Sequence, residues 1–266
     1  MKVYQRVGFK ESPFNSASVF LAGIECEIEG LHPDIHALAR AELRSSQYDG
    51  FGIIADGSLR NNGAEFVSKV FTRPILVEHF KALQEQLEFV DRDNAFSSRT
   101  STHVHVNVRS LEEEQAKNML LLYSLYEDFF FMLVDSTRRG NIHCVPLTET
   151  YLPNRYMLPL MDLAHSWHKY TALNVVPMFK LGSFEFRHLQ GTGDAVLLNE
   201  WLTVLENLWL VSQEITVNKE FLQSAAAIEG TFERIFGQSA KIMAVKNSLF
   251  NVIRNTLLDV KFAFVV

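Results

Sequence analysis

Charged and apolar residues alternate along four short segments of the chain, with the two-residue period of a β-strand. In the first segment, GIECEIE, alternation places Glu25 and Glu27 on one face of a strand and Ile24 and Cys26 on the other. Glu29 shares the charged face, and we interpret it as a solvated strand-end residue rather than a ligand. Such a strand requires a sheet with one apolar face packed on a core and one polar face.

The three other segments repeat this two-faced pattern later in the chain. In THVHVNV, His103 and His105 face away from three valines, and in SFEFR, Glu185 and Arg187 face away from two phenylalanines. The segment AEFVS adds Glu65 to the set. A sheet with one solvated face would explain any one of these strands. A solvated face usually carries Lys, Thr, Ser and Gln, however, and these four faces are instead rich in Glu and His.

This composition indicates a metal site. Several carboxylates crowded on one face repel one another unless a cation neutralises them. Carboxylate oxygens with a neutral imidazole suit Mg²⁺ or Mn²⁺ better than zinc, because no thiolate is aligned with them and Cys26 points to the apolar side. Such ions commonly bridge nucleotide phosphates, and an arginine on the same face would stabilise a transferring phosphoryl group. The chain has neither a GxxxxGKS/T loop nor a GxGxxG fingerprint after a strand, so the metals and the sheet would hold any nucleotide.

The order of predicted elements indicates an α+β fold, in which strands separated by helices are followed by a helical region. The 266 residues suit a single domain, with a sheet-bearing part over about 19–192 and a helical part over about 193–266. Helices are predicted from His32 to Ser46 and from about Leu111 to Thr137. A loop rich in turn residues is predicted between Arg138 and Pro153.

Charge and composition argue against several classes of partner. The net charge of −6 gives no global electrostatic case for nucleic acid or an anionic membrane. The first residues, MKVYQRVGFKESP, contain no apolar signal-peptide region, and the two cysteines favour a reducing compartment, so we predict a cytoplasmic protein. The longest apolar run is interrupted by Glu127 and Asp128, which predicts a buried helix rather than a membrane span. The apolar ending FAFVV predicts either docking on the core or self-association into a homo-oligomer.

The order of these motifs resembles the glutamine synthetase and γ-glutamylcysteine ligase superfamily, and within it most closely the amidoligase family, known mainly from bacteria, bacteriophages and fungi. The matching stretches are GIECEIEG, DGSLRNNGAEFVS, THVHVNV, STRRGNIHCVPL, KYTALN and GSFEFRHLQGT, which run from Gly23 to Thr192. The specificity of the resemblance lies in the order of the whole set. The resemblance implies the superfamily's catalytic fold, a mainly antiparallel curved sheet with flanking helices and a helical C-terminal region.

The resemblance also implies roles for individual residues, position by position. The metal ligands would be Glu25, Glu27, Glu65, His103 and Glu185. His105 would lie beside the ATP and Arg187 at its transferred phosphate, and an arginine-rich turn would supply further contacts from Arg138 and Arg139. Residues on the substrate side would be Asp56, Ser68, Asn141 and Asn174. The reaction itself is assigned to Arg187, Glu65 and Asp56.

The activity implied by the resemblance is an ATP- and Mg²⁺-dependent ligation of a carboxylate to an amine. The carboxylate would attack the γ-phosphoryl group of ATP to form an acyl phosphate, and an amine would then displace phosphate to give an amide. Phosphotransfer without ligation is a variant, since the superfamily includes guanidine phosphokinases. Two alternatives stay open: a metal-dependent hydrolase with His103 and His105 as ligands, and a non-catalytic module that retains the fold. The substrates could be amino acids, peptides, polyamines or macromolecules.

Overall fold

Six strands form one antiparallel sheet in the computed structural model, which describes residues 1–41 and 48–265. The strands are β1 (Ala22–Ile28), β2 (Phe51–Ile54), β3 (Ala64–Ser68), β4 (Ser101–Asn107), β5 (Leu173–Asn174) and β6 (Ser183–Gln190). They lie in the order β2-β3-β1-β4-β6-β5, and every neighbouring pair is antiparallel. The four segments with alternating charge are therefore strands, as predicted, and they lie next to one another as β3, β1, β4 and β6.

Helices account for most of the remaining regular structure. The α-helices in the described residues are α1 (Val3–Val7), α2 (Pro33–Arg40), α3 (Arg73–Gln86), α4 (Glu113–Leu133), α5 (Leu160–His165), α6 (Ala195–Glu214), α7 (Lys219–Gln223), α8 (Ala225–Phe236), α9 (Ala240–Met243), α10 (Leu249–Val252) and α11 (Arg254–Lys261). Short 3-10 turns connect several of them, at Pro13–Asn15, Arg92–Asn94, Ser136–Arg138, Leu147–Glu149, Leu152–Arg155, Val176–Phe179, Lys246–Ser248 and Phe262–Phe264. The α+β class predicted from the sequence is confirmed.

The helix predicted from His32 to Ser46 is only partly present in the described chain. α2 ends at Arg40, and residues 42–47 of the predicted helix lie outside the described residues. The start of α2 follows from local chemistry. The His32 ring accepts a hydrogen bond from the backbone N–H of Asp34, and Pro33 occupies the first helical position, where its missing N–H has no cost.

α4 is 21 residues long, and its apolar run is buried rather than exposed. The helix begins at a capping box, in which the Gln115 side chain accepts a hydrogen bond from the backbone N–H of Glu112. It is kinked at Tyr126, whose backbone angles are not helical. Phe129 packs edge-on against Phe232 of α8, with ring centroids 4.8 Å apart. In the described part of the chain, no helix is both long and apolar enough to cross a membrane.

The apolar face of the sheet and the helices share one hydrophobic core. Ile24 on β1, Val104 on β4 and Phe186 on β6 are buried in the same cluster as Leu125 of α4 and Leu205 of α6. Burying one such side chain stabilises the fold by about 1.5–3 kcal/mol. Because strand side chains alternate between faces, this burial turns the charged residues of β1, β4 and β6 to the opposite face.

The C-terminal residues are partly docked on this core. Ala263 and Phe264 pack against it, whereas Val265 is exposed and Val266 lies outside the described residues. Self-association of the apolar end stays a prediction.

A buried polar network lies inside the core, between α4 and β6. Glu127, fully buried, accepts hydrogen bonds from the backbone N–H groups of Leu147 (2.6 Å) and Thr148 (3.1 Å) and from the Tyr123 hydroxyl (2.9 Å). The Tyr123 oxygen also lies 2.9 Å from Nε2 of His188 on β6. Burial raises the pKa of Glu127 to about 7, although these donors stabilise its carboxylate.

Glu127 is expected to make folding stability depend on pH. Its ordinary pKa is 4.5, so between that value and about 7 the folded state binds more protons than the unfolded state. The free energy of unfolding should therefore fall as pH rises through this window, by up to about 3 kcal/mol from this group. Urea denaturation at about pH 5 and about pH 7.5 measures this fall, which should be smaller in Glu127→Gln than in the unmodified protein. Equal pH dependence in the two proteins would contradict the prediction.

Candidate functional site

Three neighbouring strands place acidic and imidazole groups together on the polar face of the sheet. Glu25 lies opposite His103 in the β1–β4 pair, and His105 lies opposite Glu185 in the β4–β6 pair. Directly opposed residues of antiparallel strands share a face, so the four side chains converge into an acidic cluster. Nδ1 of His103 lies 3.4 Å from Oε2 of Glu25 and 3.4 Å from Oε1 of Glu185, and Nε2 of His105 lies 3.2 Å from Oε1 of Glu25.

Three members of the acidic cluster could together hold a metal ion. Glu25, His105 and Glu185 each offer one donor atom, and the three atoms all lie within 4.8 Å of one another. Nδ1 of His105 lies 3.0 Å from Oγ of Ser183, and Nε2 is buried without an aligned hydrogen bond to the described residues. The tautomer that donates from Nδ1 to Ser183 leaves a lone pair on Nε2. Two carboxylate oxygens and one imidazole nitrogen suit Mg²⁺ or Mn²⁺.

The trio differs from the ligand set implied by the resemblance. That set contained His103 and placed His105 beside the nucleotide, whereas the trio contains His105. The His103 ring lies within the cluster too, but its Nε2 atom lies 2.8 Å from Oγ of Ser101. Only its Nδ1 atom therefore faces the carboxylates.

Further carboxylates lie beside the trio. Glu27 lies opposite Glu65 in the β1–β3 pair, so both share the polar face. Burial, together with the negative charges of Glu25, Glu27 and Asp56, raises the pKa of Glu65 to about 8. The part of this rise that comes from the neighbouring carboxylates is a repulsion that a divalent cation would offset.

Glu25 is perturbed in the opposite direction. Burial opposes its ionisation, but the close contacts with His103 and His105 and their charges outweigh burial and hold the pKa of Glu25 well below its ordinary value. Burial also disfavours the charged form of His105, yet the contact with Glu25 raises the pKa of that imidazole. Glu25 is therefore ionised at neutral pH and provides a fixed negative charge at the centre of the acidic cluster.

Arg187 lies at the edge of the acidic cluster, two residues after Glu185 on β6. Its Nη1 atom pairs with Oε1 of Glu185, and its Nε–H donates to the carbonyl oxygen of His143 at 2.8 Å. The side chain is 15% exposed. A largely buried guanidinium in this position can contact an anionic group that binds beside the acidic cluster.

Two cavities flank the acidic cluster along the sheet. A mainly apolar cavity of about 220 Å³ adjoins Glu25 and His105, and its walls include Phe14, Val67, Val70 and Leu181. A polar cavity of about 520 Å³ adjoins the other end of the cluster, and its walls include Glu27, Asp56, Arg99, Arg138, Asn141 and Arg187. The acidic cluster therefore lies between an apolar compartment and a charged one.

The residues predicted on the substrate side have different surroundings. Asp56 and Asn141 both line the polar cavity. Ser68 lines the apolar cavity, where its hydroxyl accepts a hydrogen bond from the backbone N–H of Ile24 at 2.8 Å. Asn174 is buried, and its amide donates to Oε2 of Glu185 at 2.7 Å, so that it orients a carboxylate of the trio.

The two arginines of the predicted arginine-rich turn are also separated. Arg138 is buried, and it donates from Nη2 to the carbonyl oxygen of Arg187 at 2.8 Å and from Nε to that of His188 at 3.0 Å. Arg139 lies 2.5 Å from Asp128 and lines a different cavity. The structure therefore brings Arg138 to the polar cavity and does not bring Arg139 there.

The expectation that Glu29 is solvated was wrong. Glu29 is 2% exposed, and its two carboxylate oxygens accept hydrogen bonds from the backbone N–H of Arg60 (2.7 Å) and the hydroxyl of Ser97 (2.8 Å). Both partners come from loops far along the chain, so nothing near Glu29 in the sequence indicates its burial.

Two serines of the site were not predicted. The backbone N–H and the hydroxyl of Ser101 both donate to Oε2 of Glu27 at 2.7 Å, and Ser183 contacts His105 as described above. Each serine lies two residues before a predicted metal ligand on the same strand. The alternation that identified the ligands therefore carried a signal for these serines as well.

Comparison with known families identifies the class of protein. Residues 37–209 match the family described as "Putative amidoligase enzyme", so the chain belongs to this family. The strand that carries Glu25 and Glu27 lies outside the matched residues. No curated protein matches the chain.

Among solved structures, the chain is similar to the crystal structure of a bifunctional glutathione synthetase from Pasteurella multocida. The two share 10% sequence identity with a TM-score of 0.45, and the similarity covers 92% of this chain and 48% of that one. The chain therefore spans about half the length of that structure.

Proposed function

We propose that this chain is an ATP- and Mg²⁺-dependent ligase that joins a carboxylate to an amine through an acyl phosphate. We further propose that residues 1–266 form a single domain with the glutamine synthetase-like catalytic fold. Membership of the amidoligase family supports amide formation. The observation that carries the metal dependence is the trio of Glu25, His105 and Glu185, whose donor atoms all lie within 4.8 Å of one another.

The residues present fit a divalent cation. Glu25, His105 and Glu185 would hold one ion, and Glu27, Glu65 and His103 would complete the ligand set predicted from the resemblance. When bound, the cation would neutralise charge on the nucleotide phosphates. It would also offset the charge repulsion that, together with burial, raises the pKa of Glu65 to about 8.

The proposed reaction has two chemical steps. A carboxylate oxygen of the substrate attacks the γ-phosphorus of ATP, the bond from that phosphorus to its bridging oxygen breaks, and ADP leaves. The amine nitrogen then attacks the acyl carbon, phosphate leaves, and the nitrogen loses a proton. Activation is needed because a free carboxylate is a poor electrophile at neutral pH. Arg187 would stabilise charge on the transferring phosphoryl group, and Asp56 would accept the proton.

The two cavities suggest where the substrates bind. We assign the nucleotide base to the apolar cavity beside His105, because apolar walls exclude water from a flat ring. The carboxylate substrate is assigned to the polar cavity, where Arg99 offers a guanidinium group and Asn141 an amide. ATP phosphates would then cross the acidic cluster between the two.

Binding of metal and nucleotide provides the first test. With Mg²⁺ and a non-hydrolysable ATP analogue at about 100 times its dissociation constant, the native state should be stabilised by about 2.7 kcal/mol. Thermal unfolding should therefore shift upward by several degrees, and EDTA should abolish the shift. No shift at saturating ligand would favour the non-catalytic module.

Turnover is the second part of the same test. ADP release should require Mg²⁺ or Mn²⁺ and should increase with the correct carboxylate and amine from a panel, with the condensed product identified by mass spectrometry. Metal-dependent hydrolysis that is indifferent to ATP would instead support the hydrolase. ADP release with a phosphorylated product and no amide would support phosphotransfer alone.

A further inference from the structure

β6 is bulged beside the acidic cluster. The β4–β6 register shifts between Thr102 and Val104, so that two residues of β6, Arg187 and His188, face the single residue His103. A bulge interrupts the ladder of backbone hydrogen bonds, and the backbone groups that it frees need other partners when they are buried.

Arg138 supplies those partners. As described above, its guanidinium donates to the carbonyl oxygens of both Arg187 and His188, the two bulged residues. The backbone N–H of Arg187 donates to the carbonyl oxygen of Ala172 at 2.8 Å, and its side-chain Nε–H donates to that of His143 at 2.8 Å. Hydrogen bonds to Arg138, Ala172 and His143 therefore fix the backbone of Arg187 and its side-chain Nε atom.

The polar network described in the core holds the other side of the bulge. Tyr123 lies between His188 and Glu127, and its hydroxyl has one proton to donate. Donation to the Glu127 carboxylate requires His188 to donate in turn from Nε2. Glu127 also binds the backbone N–H of Leu147, which follows His143 in the same connecting segment. The network thus joins the bulge to the segment that holds the side chain of Arg187.

We propose that Arg138 and Tyr123 are positioning residues for Arg187, because together they fix the bulge and the segment that carries His143. The kinetic consequence rests on the proposed function, whereas the structural consequence does not. If Arg138 alone or Tyr123 alone were replaced, the Arg187 guanidinium would lose its fixed direction toward the acidic cluster. A displacement of about 1 Å at a reacting group can lower a rate by about 100-fold.

Two matched pairs of variants test this role. Tyr123→Phe and Tyr126→Phe each remove one buried hydroxyl from α4, but the Tyr126 hydroxyl bonds the carbonyl oxygen of Ile228, away from the bulge. Arg138→Lys and Arg73→Lys each replace a fork of two hydrogen bonds by a point charge. Arg73 bonds side chains of α6.

In the kinetic measurement, Tyr123→Phe and Arg138→Lys should lower kcat by about 10- to 100-fold. The dissociation constant of the Mg²⁺–ATP analogue should stay within about threefold, since Tyr123 is buried and the buried Arg138 guanidinium already donates to the two bulged carbonyl groups. Tyr126→Phe and Arg73→Lys should lose stability and keep kcat. A rise in the analogue's dissociation constant with unchanged kcat in Arg138→Lys would overturn the proposal and make Arg138 a phosphate ligand.

Nuclear magnetic resonance of the Arg187 Nε–H group gives a readout without turnover. Its hydrogen bond to the carbonyl oxygen of His143 should protect this proton from exchange with water in the unmodified protein and in both control variants. Tyr123→Phe and Arg138→Lys should each accelerate its exchange by at least about tenfold. Unchanged exchange in both variants would overturn the proposal. If no ADP is released by the unmodified protein, the proposed function fails while this measurement still decides the positioning role.

Discussion

Replacing Arg187 with methionine is expected to lower kcat by about 10²–10³-fold, equivalent to about 2.7–4 kcal/mol of transition-state stabilisation. The guanidinium already pairs with Glu185 at the edge of the acidic cluster, so its remaining donors would meet a phosphoryl group whose charge grows during transfer. Binding of the Mg²⁺–ATP analogue should be largely retained. Metal binding should tighten slightly rather than weaken, because the variant removes a positive charge beside the carboxylates.

Arg187→Lys is the informative companion to this variant. A lysine keeps the charge, but its single nitrogen cannot reproduce the guanidinium fork, which donates to the carbonyl oxygen of His143 from Nε and pairs with Glu185 from Nη1, so full activity should not return. Steady-state and single-turnover kinetics separate the chemical step from binding. If both variants lose only stability and the folded fraction turns over normally, Arg187 merely pairs with Glu185, and its role in phosphoryl transfer must be abandoned.

Glu185→Gln is expected to weaken Mn²⁺ binding by more than about 100-fold. Replacing a residue that only supports a metal ligand typically lowers metal affinity by about 10–100-fold, and replacing a direct ligand should lower it further. The variant preserves the shape of the side chain and an oxygen for the Asn174 amide, but it removes one of the two carboxylate charges of the trio. Isothermal titration with Mn²⁺ measures the loss, and excess Mn²⁺ should restore part of the activity.

Glu29→Gln is the matched control for this measurement. Glu29 follows the same strand as Glu25 and Glu27, but both of its oxygens are used by Arg60 and Ser97. Its replacement should lower stability, since a buried acceptor is changed, and leave Mn²⁺ affinity unaltered. Equal affinity losses in Glu29→Gln and Glu185→Gln would mean that the titration reports damage to the sheet, and the metal assignment would fail.

The face on which each strand side chain lies could be predicted from the sequence. Alternation has a period of two residues, so Glu25 and Ile24 must point to opposite faces of any strand that contains them. The apolar half of each pattern then decides which face enters the core. For this reason the convergence of Glu25, His103, His105 and Glu185 followed from local pattern once the segments were neighbours.

Contacts within the site depended on the tertiary structure. The tight trio contains His105 because β4 pairs with β6 in a register that sets His105 opposite Glu185. Alternation fixes the faces of two strands that lie far apart in the chain, but it does not exclude a shift of two residues between them. Asn174 belongs to the site as a support for Glu185 for the same reason: its short strand pairs directly with β6.

Neighbouring residues in irregular segments show most clearly which contacts could not be predicted from the sequence. Arg138 and Arg139 have the same charge and adjacent positions, yet one is buried against the bulge and the other pairs with Asp128 near the surface. Glu29 is likewise buried by groups from two later loops.

The sequence by itself determined the strands, their polar faces and the chemical character of the site, because these follow from periodicity and side-chain type. Only the tertiary structure decided the register, the bulge and the partners of single charged groups, because these depend on contacts between residues far apart in the chain.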